Sequence, residues 1–222
     1  MKYILSFLLG FFTVNYLYHK NYLLIKNTVN NIEIGVGTSA YQIEGAWNVD
    51  NKNSSIWDTF SHTANKIFNG ETGDDACLHY YKFKEDIMLI NELNIRNYRF
   101  SISWTRILPN GDLSYINQDG IDYYNDLIDE LITNDITPYV TILHWDVPQK
   151  LQDKYGGLLS FNFVNDFVNY ADILFDNFGD RVKYWMTLNE PLTVMDLGFT
   201  SGNHAPGLPS DNNAYIVAHN QL

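Results

Sequence analysis

Residues 136–148 read ITPYVTIL-HWDVP, an apolar run that ends abruptly in polar and aromatic side chains. The run Ile136–Leu143 is short, apolar and rich in β-branched residues, which is typical of a buried strand. His144, Trp145 and Asp146 follow it directly. The stretch therefore predicts a strand whose carboxyl end presents groups that can bind or react.

Three other segments have the same strand-like character. Each is short, apolar or alternating, and bounded by turn-forming or polar residues. They are Ile34–Ala40, Asn94–Ser103 and Val182–Asn189. With Ile136–Leu143 they make four predicted strands, separated along the chain by longer segments.

The separating segments carry apolar residues at helical spacing. The apolar positions recur at i, i+3 and i+7, which indicates helices with one apolar stripe and a polar back. They run from Tyr80 to Ile90, from Ile121 to Leu131 and from Phe163 to Phe178, with Gly179 as a stop and a last short helix near Asn212–Leu222. Strands that alternate with helices predict an α/β fold with a parallel sheet and helices outside it.

Two architectures fit this order, an open doubly wound sheet and a (β/α)₈ barrel. The Gly-x-Gly at Gly35 and Gly37 lacks the third glycine and the helix start of a dinucleotide fingerprint, so it gives little support to the open sheet. Polar residues instead cluster where the strands end, namely Gln42, Ser103, His144, Asn189 and Glu190. A barrel places its active site at these ends, so the barrel is favoured.

The pair Asn189-Glu190 ends the fourth predicted strand and precedes Pro191. Because the proline disfavours the helical region for the residue before it, we expect Glu190 to be extended. Neighbouring strand residues face opposite sides, so both side chains can line one pocket only if the pleat breaks at the strand end. Glu190 is either a reactive carboxylate or an acid that caps the following helix, and spacing alone leaves both open.

The other candidates also have two interpretations each. His144 and Trp145 could bind a hydroxyl and stack on a sugar, or be a satisfied histidine and a core tryptophan. Arg99 lies in a covered strand, where a guanidinium requires a structural or an active-site anion. Gln42 offers an amide to hydroxyl groups, and Glu44 could be a structural partner for an arginine. Amide and guanidinium groups that can bind hydroxyls, together with an aromatic ring that can stack on a sugar and a carboxylate, indicate carbohydrate chemistry.

Composition excludes several classes of protein. The chain has 222 residues, of which 45% are hydrophobic and 15% aromatic, so it is not a disordered protein. It carries 14 Lys and Arg against 26 Asp and Glu, a formal net charge of −12, which excludes the basic surface of a nucleic-acid binder. Its one cysteine, Cys77, excludes an intrachain disulfide and cysteine-cluster metal sites. No motif points to a metal or another cofactor.

The first 26 residues differ from the rest of the chain. Lys2 is followed by the apolar stretch YILSFLLGFFTVNYLY at residues 3–18. This pattern is that of a secretory signal peptide, although an uncleaved anchor or an incorrect start also fits. A signal peptide would place the protein outside the cell or in the lumen of the secretory pathway. An anchor would be its one reason to associate with a membrane.

From residue 34 onward the chain resembles glycoside hydrolase family 1, the β-glucosidase, lactase-like and klotho-like proteins. The resemblance is collinear and rests on several long segments. These are TSAYQIEGAW (38–47), SIWDTF (55–60), YRFSISW (98–104), HWDVPQKLQDKYGG (144–157), WMTLNEP (185–191) and the shorter GDRVKYW, HAPG and AHNQL.

The resemblance implies a (β/α)₈ barrel and a retaining glycosidase that acts on β-glucosides or related glycans. Glu190 matches the general acid/base, and Asn189 matches the residue that holds the sugar 2-hydroxyl. Arg99 matches the arginine that contacts the nucleophile and keeps it ionised. The wall that binds the sugar ring would be formed by Gln42, His144 and Trp145.

Two departures from the family pattern qualify these expectations. The segment Asn27–Glu33 lacks the usual lead-in to the first strand, and no T-E-N-G-like nucleophile motif occurs in the chain. We therefore interpret residues 27–222 as the N-terminal half of a barrel, with about four βα units and no nucleophile. The chain alone is expected to be inactive. The alternative is a non-catalytic, klotho-like protein that binds glycans or other proteins.

Overall fold

The computed structural model describes residues 33–222, and the segment 1–26 interpreted above as a signal peptide or anchor lies outside this range. Within these described residues, four parallel strands form one sheet in the order β1-β2-β3-β4. The strands are β1 (Gly35–Gly37), β2 (Asn97–Ser101), β3 (Thr137–Leu143) and β4 (Tyr184–Leu188). Neighbours in sequence are neighbours in space, and the strand order does not reverse as it does in an open doubly wound sheet.

Helices connect the strands, as the apolar periodicity predicts. In chain order they are α1 (Ala40–Ile43), α2 (Ile56–His62), α3 (His79–Glu92), α4 (Trp104–Ile107), α5 (Gln118–Thr133), α6 (Gln149–Tyr155), α7 (Asn162–Phe178), α8 (Pro191–Thr193) and α9 (Asp211–Gln221). A π-helix, Val194–Thr200, continues from α8. The long crossover helices α3, α5 and α7 make the fold an α/β structure of about four βα units, which confirms the predicted partial barrel.

The strands are shorter than predicted because neighbouring turns and helices include some of the residues predicted at the strand ends. Asn94 adopts a left-handed φ of 56° after α3, and the amide of Ile95 donates to the carbonyl of Ile90. Both residues therefore belong to the helix end, and β2 begins only at Asn97. At β1 the helix α1 starts three residues after the strand, which limits the strand to Gly35–Gly37.

The core lies between the sheet and the crossover helices. The predicted stripe of α5 is buried at Ile121, Tyr124, Ile128 and Leu131. The stripe of α7 is buried at Phe163, Tyr170, Leu174 and Phe178, whereas Phe167 is half-buried, and Gly179 ends that helix as expected. Trp104 joins the layers by stacking on Tyr170, with ring centroids 4.6 Å apart. Burial of this apolar surface is the main favourable contribution to folding.

The two outer strands are less covered than the inner ones. Within residues 33–222, β1 and β4 each pair on one side only. Residues of β3 are largely buried, whereas Tyr184 and Thr187 of β4 are exposed. In the part of the chain that the structure describes, no helix is both long enough and apolar enough to cross a membrane.

Candidate active site

A cleft of about 550 Å³ lies at the carboxyl ends of the four strands. All six residues selected from the sequence line it: Gln42, Arg99, His144, Trp145, Asn189 and Glu190. The strands are parallel, so their carboxyl ends meet at one edge of the sheet, and residues up to 148 positions apart in sequence converge there. Ser103, also at a strand end, is buried and does not line the cleft.

Gln42 reaches the cleft from α1, which directly follows β1. The backbone amide of Ala40 donates to Oγ of Ser101 over 2.7 Å, and this bond ties the first turn of α1 to β2. Thr38 donates its backbone amide to the carbonyl of Arg99 and so continues the β1–β2 pairing. The side chain of Gln42 is exposed, which leaves its amide accessible to a ligand.

Arg99 points into the cleft from the middle of β2 and is held by two neutral oxygens. Its Nε donates to Oγ1 of Thr141 over 2.9 Å, and its Nη2 donates to Oδ1 of Asn189 over 2.8 Å. The sequence predicts an anion beside this half-buried guanidinium, but no ion pair to Arg99 exists among residues 33–222. Its positive charge therefore faces the cleft without a compensating carboxylate in this range.

His144 enters the cleft as a neutral imidazole. The pKa of His144 is lowered to about 4, first by burial and then by the positive charge of Arg99, whereas Glu190 opposes both effects. Its Nδ1 is buried without a hydrogen-bond partner among the described residues. No described residue therefore satisfies this nitrogen, which favours the interpretation of His144 as a residue that binds a ligand over that of a satisfied strand-end histidine.

Trp145 is both a core residue and a wall of the cleft. It is only 8% exposed, yet it lines the cleft beside His144. Its backbone has a φ of 74°, in the left-handed region, and its Nε1 donates to the carbonyl of Ala205 over 2.7 Å. The two interpretations considered for this tryptophan are thus compatible with each other.

Glu190 differs from the expectation that the following proline makes it extended. It has φ 46° and ψ 57°, the left-handed conformation. Pro191 is the first residue of α8, and the Glu190 carbonyl accepts the amide of Val194 over 3.0 Å, so the chain must turn sharply at Glu190 to start the helix. Such a conformation costs a non-glycine residue about 1–3 kcal/mol and is found preferentially at functional sites.

The left-handed turn explains how neighbouring side chains share one cleft. Asn189 still pairs with the sheet, since its amide donates to the carbonyl of Leu143 over 3.0 Å. The turn at Glu190 then breaks the pleat, and both side chains line the cleft as the prediction required. Glu190 precedes α8, but its side chain makes no capping hydrogen bond, so the structure disfavours its interpretation as a helix cap.

Comparison with known proteins gives the family. The sequence model of glycosyl hydrolase family 1 matches residues 29–222. This chain belongs to glycosyl hydrolase family 1. Within the family it is 52% identical over 200 residues to a furostanol glycoside 26-O-β-glucosidase of Hellenia speciosa, covering 85% of this chain and 36% of that protein.

Solved structures of family 1 enzymes have the same fold over the matched part. The family 1 β-glucosidase from Thermotoga maritima superposes with a TM-score of 0.84 at 50% identity, covering 86% of this chain and 42% of that one. A mutant of a rice β-glucosidase in a covalent complex with Glc superposes with a TM-score of 0.82 at 46% identity, covering 85% and 42%. The chain thus spans about two fifths of the length of these family members.

Several residues of this family 1 cleft were not selected from the sequence. Tyr41, Trp57 and His204 form an aromatic group with Trp145, in which Trp57 lies 5.6 Å from Trp145 and His204 stacks on Trp145 at 5.5 Å. Thr193 also lines the cleft. Trp57 and His204 lie away from the strand ends, so only their place in the matching SIWDTF and HAPG segments could have indicated them.

Glu44 has the structural role that the sequence left open. Its Oε2 accepts from Nε and Nη2 of Arg106 at 3.1 and 3.0 Å, and Tyr124 donates its hydroxyl to Oε1. Tyr124 in turn accepts the amide of Ser103 over 2.7 Å. Burial holds the pKa of Tyr124 well above its usual range, so it stays a hydroxyl donor. This buried network fixes the turn after Gln42 against α4 and α5.

Proposed function

We propose that residues 33–222 supply the acid/base half of the active site of a retaining β-glycosidase that acts on β-glucosides. The observation that carries this proposal is the convergence of Glu190 and Asn189 with Gln42, Arg99 and His144 in one cleft at the strand ends. Family membership supports the reaction class, and the covalent Glc complex of the rice relative supports a covalent glycosyl intermediate for that enzyme.

Glu190 is the proposed general acid/base. In a retaining mechanism, the acid protonates the glycosidic oxygen while a second carboxylate attacks the anomeric carbon, so the leaving group departs as an alcohol. The same residue, now ionised, takes a proton from water, which attacks the anomeric carbon and releases the nucleophile. Glu190 is exposed at the cleft and free of a capping bond, which leaves its carboxyl group available for both steps.

Asn189 is the proposed partner of the sugar 2-hydroxyl. Its Oδ1 accepts from Arg99, so its Nδ2 is the group left to donate to a hydroxyl. Contacts to the 2-hydroxyl strengthen in the transition state of these reactions. Arg99 therefore orients the amide of Asn189 and, through its remaining donors, can contact the nucleophile carboxylate.

Gln42, His144 and Trp145 are the proposed wall for the sugar ring. The amide of Gln42 can donate and accept, which suits neighbouring hydroxyl groups. His144 is neutral because burial lowers its pKa, so one ring nitrogen donates and the other accepts. The partly buried indole of Trp145 offers an apolar face to the C–H groups of a sugar.

A fusion protein tests the proposal. Residues 33–222 are joined to the part of the T. maritima β-glucosidase that lies beyond the matched segment, and hydrolysis of p-nitrophenyl β-D-glucoside is measured. We expect the fusion to hydrolyse the substrate and the 222-residue chain to leave it intact, because the chain has no T-E-N-G-like nucleophile motif.

Two results would contradict this account. A folded fusion that binds deoxynojirimycin without hydrolysing the substrate would favour the non-catalytic, glycan-binding alternative. Hydrolysis by the 222-residue chain itself would show that one of its own residues serves as the nucleophile. Folding of the fusion is checked separately by circular dichroism and thermal unfolding.

A further inference from the structure

A small space lies next to the turn that carries His144 and Trp145, and Asp146 of this turn lines it. It has a volume of about 10 Å³, which corresponds to about one water molecule. Polar or charged residues line part of it, namely Lys52, Ser55, Asp58, Ser103 and Asp146. Asp146 is 2% exposed, and its Oδ1 has no hydrogen-bond partner among residues 33–222.

The cations around this space are already matched by other groups. Lys52 donates to Oδ2 of Asp58 over 3.1 Å and to the carbonyls of Trp47 and Asn53, which accounts for the three protons of its ammonium group. Asp58 also accepts from the amide and hydroxyl of Ser55. The Lys52–Asp58 pair is therefore complete without Asp146.

Arg106, another buried cation, is also paired with a carboxylate, although its Nη1 has no hydrogen-bond partner among residues 33–222. It pairs with Glu44 through two nitrogens at 3.1 and 3.0 Å. An ionised Asp146 would thus be a third buried carboxylate beside two paired cations. A buried charge without a partner is strongly unfavourable, and such a group takes its neutral form instead.

The electrostatic surroundings agree with this geometry. Burial raises the pKa of Asp146 to about 7; its own backbone amide and Lys52 oppose the rise, whereas Glu44 and Asp58 add to it. Tyr170, on α7, interacts electrostatically with Asp146, and the pKa of Tyr170 is itself raised mainly by burial. Charged or titratable side chains on the elements around Asp146 are Lys52, Asp58, Glu44, Tyr41 and Tyr170.

The turn that contains Asp146 is also held by the bond from the indole of Trp145 to the carbonyl of Ala205 and by the pairing of Pro148 with Ser55. Trp145 is left-handed at φ 74°, which is unfavourable for a bulky residue. The following carbonyl, that of Val147, accepts the amide of Ile56 over 2.8 Å and pins the turn from one side. Asp146 itself is buried and lines the polar space.

We propose that Asp146 is a positioning residue that acts as a neutral carboxylic acid, holding the His144–Trp145 turn in place against the polar space next to it. Loss of its proton leaves an unmatched buried charge and loosens the turn, so the geometry of the cleft wall depends on pH. The inference concerns the folded 222-residue chain and does not depend on the proposed glycosidase activity.

The Asp146→Asn variant tests this proposal, because asparagine keeps the shape and hydrogen bonding but cannot ionise. Urea unfolding of both proteins is measured between pH 5 and pH 8. The native wild type retains a proton that its unfolded chain has lost, so the folding equilibrium constant should fall about tenfold per pH unit relative to the variant, until Asp146 itself ionises. Asp126→Asn, an exposed aspartate on α5, makes the same chemical change as a control and should leave the pH dependence unaltered.

Positioning is read from the tryptophan signal and not from stability alone. The contribution of Trp145 to the near-ultraviolet circular dichroism is the part of the signal that is lost in Trp145→Phe. This contribution should change between pH 6 and pH 8 in the wild type and stay constant in Asp146→Asn. Parallel stability curves for wild type and Asp146→Asn would overturn the proposal, as would an unchanging Trp145 signal in the wild type. If Asp146→Asn fails to fold, carbon-13 NMR of labelled aspartate in the wild type decides: one carboxyl group titrating near neutral pH supports the proposal, and none overturns it.

Discussion

The guanidinium of Arg99 donates through Nη2 to Oδ1 of Asn189 over 2.8 Å, joining β2 to the end of β4 across β3. The bond spans 90 residues of sequence, and Thr141 of β3 supports it by accepting from Nε. It orients the amide of Asn189 and places a positive charge beside it. This hydrogen bond thus positions Asn189 for the sugar 2-hydroxyl and Arg99 for the nucleophile carboxylate, two contacts that the proposed reaction needs.

The Arg99–Asn189 bond should appear as a coupling in stability. We expect Arg99→Gln and Asn189→Ala each to destabilise the chain, with a coupling of about 1.5–3 kcal/mol in a double-mutant cycle, since hydrogen bonds to charged groups are in this range. Urea unfolding of the wild type, the two single variants and the double variant gives the coupling. Additive effects would mean that the bond does not form in solution.

The buried Glu44–Arg106 pair should be essential to the fold. Arg106→Met leaves Glu44 buried without its cation, which typically costs about 3–5 kcal/mol. Lys154→Met removes an exposed cation from Asp112 and serves as the control, with little expected change. Chemical denaturation measures both, and an equally small effect for the two variants would refute the role assigned to the Glu44 network.

His144 should make stability depend on pH below neutrality. Its pKa is lowered to about 4 in the folded chain, whereas an unfolded histidine has a pKa of about 6.5. The unfolded chain therefore binds the extra proton first, and stability is lost as the pH falls from about 6.5 toward 4. In His144→Gln, the loss of stability that protonation of His144 causes between about pH 6.5 and pH 4 should be absent.

The control for this experiment is His219→Gln, which changes an exposed histidine on α9. The free energy of unfolding is measured across the same pH range for both variants and the wild type. If His144→Gln and the wild type lose stability in parallel, His144 is not held in its neutral form by the fold.

Much of the architecture could be predicted because its signals are local and periodic. The apolar stripes of α5 and α7 are long enough to be unambiguous, and both are buried as expected. The convergence of Gln42, His144, Asn189 and Glu190 followed from one geometrical rule, that parallel strands end at the same edge of the sheet. Residues such as His144 and Glu190 needed only to follow a strand to be placed correctly.

Features that depend on contacts distant in sequence could not be predicted in this way. Glu190 is left-handed because the chain must turn sharply between the end of β4 and the start of α8. Pro191 alone predicted an extended conformation for Glu190. Trp57 and His204 reach the cleft from segments that do not follow a strand directly. Ser103 follows a strand, yet it faces the buried network because α4 begins immediately after it.

The acid/base role of Glu190 is the central claim, and it is tested with the Glu190→Gln variant of the fusion protein. Without an acid, departure of the leaving group should slow by about 10²–10⁴-fold for a poor leaving group such as phenol. The loss should be far smaller for dinitrophenol, which departs without protonation. Glu92→Gln, an exposed glutamate at the end of α3, is the matched control and should retain full activity.

The most direct measurement is therefore kcat/KM of Glu190→Gln and the unaltered fusion for a series of aryl β-glucosides ordered by the acidity of the phenol. The account predicts that the ratio between the two proteins increases steeply as the leaving group becomes poorer. It also predicts that azide, which attacks without a general base, restores turnover of the good substrates in the variant. An equal loss for every leaving group would contradict the assignment of Glu190 as the acid.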